Sequence, residues 1–153
     1  MKNTRGYWRR AELTGVLLSI KPKYVRAILD GTKQYEFRKQ IFRDRSRETV
    51  FIYSSSPEKK IVARFHIGKI VEGTPDYLWE EFWDVSGISE PEFFEYFSGK
   101  ENGFAIRIDE LEEFAEPVDP FARFERFVPP QSWRYVDGKF NNQQLRIDNP
   151  ISS

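Results

Sequence analysis

Cysteine is missing from the sequence altogether, and histidine occurs once, at His66. The first absence excludes disulfides, thiol nucleophiles and cysteine-based zinc sites, and the second excludes histidine-rich metal centres and leaves any serine nucleophile short of a base. Long apolar runs are missing too. No window approaches the roughly 18 uninterrupted apolar residues of a membrane span, and the opening MKNTRGYWRRAELTG has charge without the apolar stretch of a signal peptide. These absences predict a cytoplasmic chain with no membrane association, no metal and no cofactor. What is present is 153 residues with 16% aromatics, enough for one domain with a sizeable core.

The formal net charge is zero, but only by cancellation. Residues 1–70 hold 17 Lys+Arg against 6 Asp+Glu, whereas residues 71–120 hold 2 against 15. Such asymmetry predicts either an electropositive face that attracts phosphate or an acidic segment that folds onto the basic one and neutralises it.

The apolar run VLLSI, Val16 to Ile20, reads as a strand buried on both faces. A helix follows, with Pro22 in its first turn, Tyr24, Val25, Ile28 and Leu29 on one side, and Asp30-Gly31 as its stop. In KQYEFRKQI the period changes to two. Tyr35 and Phe37 alternate with Glu36 and Arg38, which share the other face of a strand over 34–40. Residues 43–48 read as a solvated loop, 49–55 as a third strand, and 60–71 as a fourth with a bend near Gly68. Thr74-Pro75-Asp76 opens a helix with Leu78, Trp79, Phe82 and Trp83 at core spacing. Ser89 and Glu92 form a capping box for the next helix, whose Phe93, Phe94 and Phe97 face inward. Residues 103–108 alternate as a further strand.

The order β α β β β α α β does not alternate as βαβ units do. It predicts an α+β fold: a small, curled, mostly antiparallel β-barrel with helices at its ends. Residues 1–15 read as an N-terminal arm, 16–136 as the domain, and 137–153 as an irregular C-terminal tail.

The stretch SIKPKYVRAILDGTKQYEFRK resembles the N-terminal signature of the ASCH domain family, a PUA-like barrel with the pattern Gly-x-Lys-x-x-Glu-x-Arg. Gly31, Lys33, Glu36 and Arg38 match it position by position. VFIYSSSPEKKIVARFHIGKI and PPQSWRY resemble the compact bacterial and archaeal members, some of them described as predicted transcriptional regulators. The resemblance implies a cleft lined by Lys33, Glu36 and Arg38 that binds RNA or a nucleotide-like ligand. Some ASCH-like proteins process nucleic acid, including an acetylcytidine amidohydrolase with a Lys, Thr, Glu set. The Thr of that set falls where this chain has Glu36, so the set is not reproduced.

Around this cluster the candidate binding residues are Ser19 and Lys21 at the end of the first strand, Tyr53 and Ser55 at the end of the third, and Gln131, Ser132 and Trp133 in the stiffened PPQSW loop. Arg38 offers a planar fork to phosphate, Gln131 an amide to a base edge, Trp133 a stacking surface. Each has a plain structural alternative: a surface ion pair for Glu36 and Arg38, helix capping for Ser19, solvation for Lys21, core packing for Tyr53 and Trp133, and a satisfied core residue for His66. Two functions compete. One is a binding module for RNA or a nucleotide-like ligand with a regulatory role, expected to show an open groove flanked by Arg and Lys. The other is a small hydrolase or nuclease acting on nucleic acid or modified nucleosides, with Lys33, Glu36 and Tyr53 as candidate catalytic groups and a pKa-shifted side chain in a closed pocket. The acidic aromatic helices over 75–98 supply a third candidate, a protein-docking surface.

Overall fold

The computed structural model describes residues 15–123, 126–140 and 145–147. The chain order is β1 (Gly15–Ile20), α1 (Pro22–Asp30), β2 (Tyr35–Arg38), β3 (Thr49–Ser54), β4 (Lys60–Gly73), α2 (Pro75–Phe82), a 3₁₀ turn (Trp83–Val85), α3 (Glu90–Tyr96), β5 (Gly103–Val118), α4 (Pro120–Arg123), β6 (Trp133–Phe140) and β7 (Leu145–Ile147). The N-terminal arm lies largely outside the described residues. β6 runs past the expected domain end at 136, and β7 follows within the stretch expected to be irregular.

All seven strands form one sheet in the order β2-β5-β4-β3-β1-β6-β7. Among the described residues only the β1–β3 pair is parallel. The mixed α+β character and the antiparallel bias match the expectation. A closed barrel does not: β2 and β7 are the two ends of the strand order, and among the described residues no ladder joins them. The sheet nevertheless curls. In a flat sheet β2 and β6, five strand spacings apart, would be separated by roughly 24 Å. Here Arg38 donates to the Ser132 hydroxyl beside β6, and the Arg43 and Asp44 backbone N–H groups donate to the Tyr135 hydroxyl at 3.1 and 3.0 Å. Side chains and the 39–48 loop thus cross the seam between the two ends of the sheet.

Alternation sorts side chains into three clusters. Val16, Leu18, Ile20, Val50, Ile52, Ala63, Phe65 and Ile106 fill the concave side with α1 and Phe42. Leu17, Phe51, Tyr53, Ile61, Phe127 and Val136 pack on the opposite face. Tyr35 and Phe37 of β2 meet Leu78, Phe82, Phe93 and Phe97 of the helical arm. Tyr35 stacks on Phe82 at 4.1 Å, and Phe37 sets its edge to Phe93 at 5.0 Å. Trp83 departs from the core expectation. It is 59% exposed, because α2 gives way to a 3₁₀ turn there and the apolar stripe rotates outward.

β4 bulges between Ile67 and Ile70, around the glycine that suggested a bend. β5 is longer than the alternation of 103–108 suggested, because its acidic second half pairs with the start of β4. Among the described residues no helix is long and apolar enough to cross a membrane. The two charged halves partly neutralise each other: Lys23 pairs with Glu92, and Arg64 with Glu112 at 3.4 Å.

Candidate nucleic-acid site

The site begins at the stop of α1. Gly31 takes a left-handed conformation, φ 88°, which a glycine adopts without strain, and its N–H caps the Ile28 carbonyl. The chain then turns, so that Lys33 enters the protein two residues before β2. Within β2 the period of two aims Tyr35 and Phe37 at the helical arm and Glu36 and Arg38 at the concave side, where Glu36 lies opposite Ile106.

These three charged groups form one buried line. Glu36 sits between two cations, with Oε1 3.6 Å from the Lys33 ammonium and Oε2 accepting from Arg38 Nη1 at 2.9 Å. Lys33 is 3% exposed, Glu36 6% and Arg38 8%. The Lys33 ammonium donates to the Ser86 carbonyl at 2.9 Å and lies 4.8 Å from the Phe37 ring centre and 5.5 Å from that of Tyr24. Burial pushes the lysine below its ordinary pKa, and Glu36 opposes that shift without cancelling it. The second Arg38 nitrogen, Nη2, donates to Ser132 Oγ, while its Nε–H is buried and finds no hydrogen-bond partner among the described residues. An orphaned guanidinium N–H is costly and marks a position where an acceptor would be welcome.

The other candidates fall around or away from this line. Ser132 is joined to it directly, and its carbonyl accepts from the Ser19 N–H at 2.9 Å. Trp133 packs on the main core, 5.9 Å from Phe42 and 5.1 Å from Tyr135, while Gln131 is exposed on the same loop. Lys21 is exposed at the N-cap of α1, and Ser19 is half-buried. Alternation along β1 turns Ser19 toward the face of Leu17, away from Glu36. Tyr53 lies in that second cluster, 5.6 Å from Phe127, and its phenol is raised by burial and by Asp119. Ser55 is half-exposed. Its neighbour Ser54 is fully buried, with a hydroxyl that has no partner among the described residues.

Two further contributors gave no signal in the sequence. Ser86 meets Lys33 from 53 positions away, and Tyr24, read there only as an apolar helix residue, covers the ammonium. Tyr24 also ties α1 to the helical arm. Its hydroxyl donates to Glu92 at 3.1 Å, and Glu92 further accepts from Lys23 and from Ser89. Burial and then Glu92 push the Tyr24 phenol up to about 12. The hydrogen bonds from Lys23, Ser89 and Tyr24 hold Glu92 at about 2, against an ordinary 4.5. A carboxylate depressed on folding stabilises the native state fully above its unfolded pKa, and that contribution is lost as pH falls through the folded value. Between pH 4.5 and about 2 the wild type should therefore lose stability more steeply than Glu92→Gln. Acid unfolding followed by tryptophan fluorescence reads the two slopes, and equal slopes would remove this latch from the account.

Comparison with known proteins places the arrangement. A model of the ASCH domain matches residues 18–115. The chain is similar to a Zymomonas mobilis protein named ASCH domain-containing ribonuclease, 28% identical over 131 residues that span 78% of this chain and 82% of that one. It is also similar to the crystal structure of ASCH from Zymomonas mobilis, with a TM-score of 0.72 and 26% identity over 83% of this chain and 88% of the other. A tyrosine-to-phenylalanine mutant of the Zymomonas mobilis ASCH protein gives a TM-score of 0.74 at 25% identity, over 82% and 91%. The match is to the domain itself, and the curated relative is named a ribonuclease, not a regulator. With nearly two thirds of its residues inside the family match, the chain belongs to the ASCH domain family, a PUA-like RNA-binding fold.

Proposed function

We propose that this RNA-binding domain also cleaves RNA, using the Lys33–Glu36–Arg38 line. The observation that carries the reading is the burial of Lys33, with its lowered pKa, beside a carboxylate that is itself paired to an arginine. A lysine that serves only to attract phosphate works best in water with its charge intact. One that gives up its proton readily suits proton transfer. Lys33, Glu36 and Arg38 are each less than a tenth exposed, the burial that supports a charged group held for proton transfer.

The chemistry that fits these groups is attack by a ribose 2′-oxygen on the adjacent phosphorus. The P–O5′ bond breaks as the new P–O2′ bond forms, leaving a 2′,3′-cyclic phosphate and a 5′-hydroxyl. One proton leaves the 2′-hydroxyl and one reaches the departing oxygen, and Lys33 and Glu36 are the two groups to exchange them. Arg38 supplies to the phosphate oxygens its Nε–H, unpartnered among the described residues, and the remaining N–H groups of its fork. That the similar Zymomonas mobilis protein is named a ribonuclease supports RNA as the substrate.

The test is incubation of the purified chain with short single-stranded RNA and the matching DNA, with product analysis. RNA should yield cyclic-phosphate ends, and DNA, which lacks the attacking hydroxyl, should stay intact. Equal cleavage of both, or of neither, would overturn the reading. Ser132→Ala should lower kcat/KM by about tenfold, the worth of one hydrogen bond to a charged group. The cause is that Arg38 loses the partner that orients its fork.

A further inference from the structure

We infer that the Ser86–Gly87 turn of the helical arm is a positioning element for Lys33, fixing its ammonium against Glu36 from outside the sheet. The inference rests on the proposed role of Lys33 and extends it to residues far from the signature.

The contact is built at several levels. Lys33 and Ser86 form an isolated antiparallel bridge, and the neighbouring Gln34 N–H donates to the Val85 carbonyl at 2.8 Å. The backbone of the signature is thus pinned to the arm on both sides of the lysine. The Ser86 carbonyl then takes the Lys33 ammonium at 2.9 Å. That carbonyl is aimed by its own residue's side chain. Ser86 is 1% exposed, and its hydroxyl is 2.8 Å from the Trp83 carbonyl, 3.1 Å from the Ile88 carbonyl and 3.4 Å from the Ile88 N–H. The hydroxyl clasps the turn across both of its ends.

Gly87 sets the approach distance. Its φ is +63°, and a Cβ built on it would stand 2.3 Å from Lys33 Cβ and 2.9 Å from Lys33 Cα. No side chain fits between turn and lysine, so only glycine lets the carbonyl come this close. Gly99, at the far end of the same arm, supplies the contrast. It has φ +82° and nothing within 4 Å of its Cβ position. The two glycines share the backbone demand, and only one touches the lysine.

The groups that face the ammonium are Glu36 and Arg38 from β2, Tyr24 from α1 and the uncharged Ser86 carbonyl from the arm. Backing the turn away admits water beside the ammonium and relieves its burial, so the lysine titrates nearer its ordinary range.

The experiment compares Gly87→Ala, Gly87→Asn, Gly99→Ala and Ser86→Ala with wild type and Lys33→Met, all checked for folding by circular dichroism. Two readouts are taken: RNA cleavage, and the side-chain NMR titration of Lys33, assigned as the signal missing in Lys33→Met. Gly87→Ala should lower kcat by about tenfold or more and move the Lys33 titration upward, with KM little changed. Gly87→Asn should do the same, because asparagine tolerates positive φ but still carries a Cβ. Ser86→Ala should show a smaller effect in the same direction, and Gly99→Ala should leave both readouts at wild-type values. If Gly87→Asn titrates Lys33 as wild type does, or if Gly99→Ala matches Gly87→Ala, the turn positions nothing. If wild type and Lys33→Met handle RNA identically, the role of Lys33 fails, while the NMR arm still reports on the contact. If Gly87→Ala does not fold, the asparagine and Ser86→Ala arms decide.

Discussion

Lys33→Met should abolish RNA cleavage, by a hundredfold or more at roughly the usual worth of a proton-transfer group, and yet leave the protein about as stable as before. The two halves of this expectation come from one fact, the 3% exposure of the lysine. Taking an ammonium out of water is unfavourable, and its lowered pKa records that cost. Methionine has similar length and keeps the apolar contacts with Phe37 and Tyr24 while removing the charge. Glu36 is not stranded, because Arg38 still holds it at 2.9 Å. The group left short is the Ser86 carbonyl, which loses one donor. These effects oppose each other, so unfolding in urea should shift by no more than about 1 kcal/mol, a few degrees in Tm. A Lys33→Met protein that is stable and still cleaves RNA at the wild-type rate would remove the lysine from the chemistry. One that unfolds would show that the Glu36 pairing holds the fold together.

How far the sequence reaches is visible in these residues. The period of two in Tyr35-Glu36-Phe37-Arg38 placed the carboxylate and the guanidinium on one face, and the Gly31 turn brought the lysine to them. Both inferences are local, since they need only strand pleat and a left-handed stop. Their burial was not legible. Whether Glu36 and Arg38 face solvent depends on the sheet curling until β6 and the 39–48 loop lie across from β2, and no periodicity encodes a contact such as Arg38 to Ser132 over 94 positions. Tyr53 shows the same limit: alternation gives a strand two faces without saying which is the concave one. Ser86 and Gly87 carry no local signal of this role, because their meaning appears only once the arm is docked. The second half of β5 was missed for another reason. Its alternation fades after Ile108, and what extends the strand is pairing with basic β4, as Arg64 opposite Glu112 shows, the neutralisation that the charge asymmetry allowed as one of two outcomes.

Glu36→Gln should be the most destabilising change in the site, and the pH dependence of its cost identifies the cause. The carboxylate lies between Lys33 and Arg38 with all three less than a tenth exposed. Without it, two buried cations lose their shared counter-charge. The amide oxygen can still accept from Arg38, but the amide nitrogen is a donor turned toward another donor. Removing one member of a buried ion pair costs about 3–5 kcal/mol. Glu36 also raises the pKa of Lys33, so its loss depresses an already lowered value further. The sign follows from proton counting. Between the depressed folded pKa and the ordinary 10.5, the unfolded chain holds a proton that the folded chain has released, so stability rises with pH across that window. The cost of Glu36→Gln is therefore largest below the mutant's folded Lys33 pKa, where the folded protein must carry a charged lysine. It shrinks as pH rises from that value to the wild type's folded pKa, above which both proteins gain stability alike up to 10.5. Urea unfolding of mutant and wild type followed as a function of pH, from just above the carboxylate range up to 10.5, should show the gap narrowing within that window, and in the double variant Lys33→Met/Glu36→Gln the pH dependence should be gone. A gap of constant size across that whole window would mean that Glu36 stabilises the fold through Arg38 alone, leaving Lys33 uncoupled from it and without the partner its proton transfer requires.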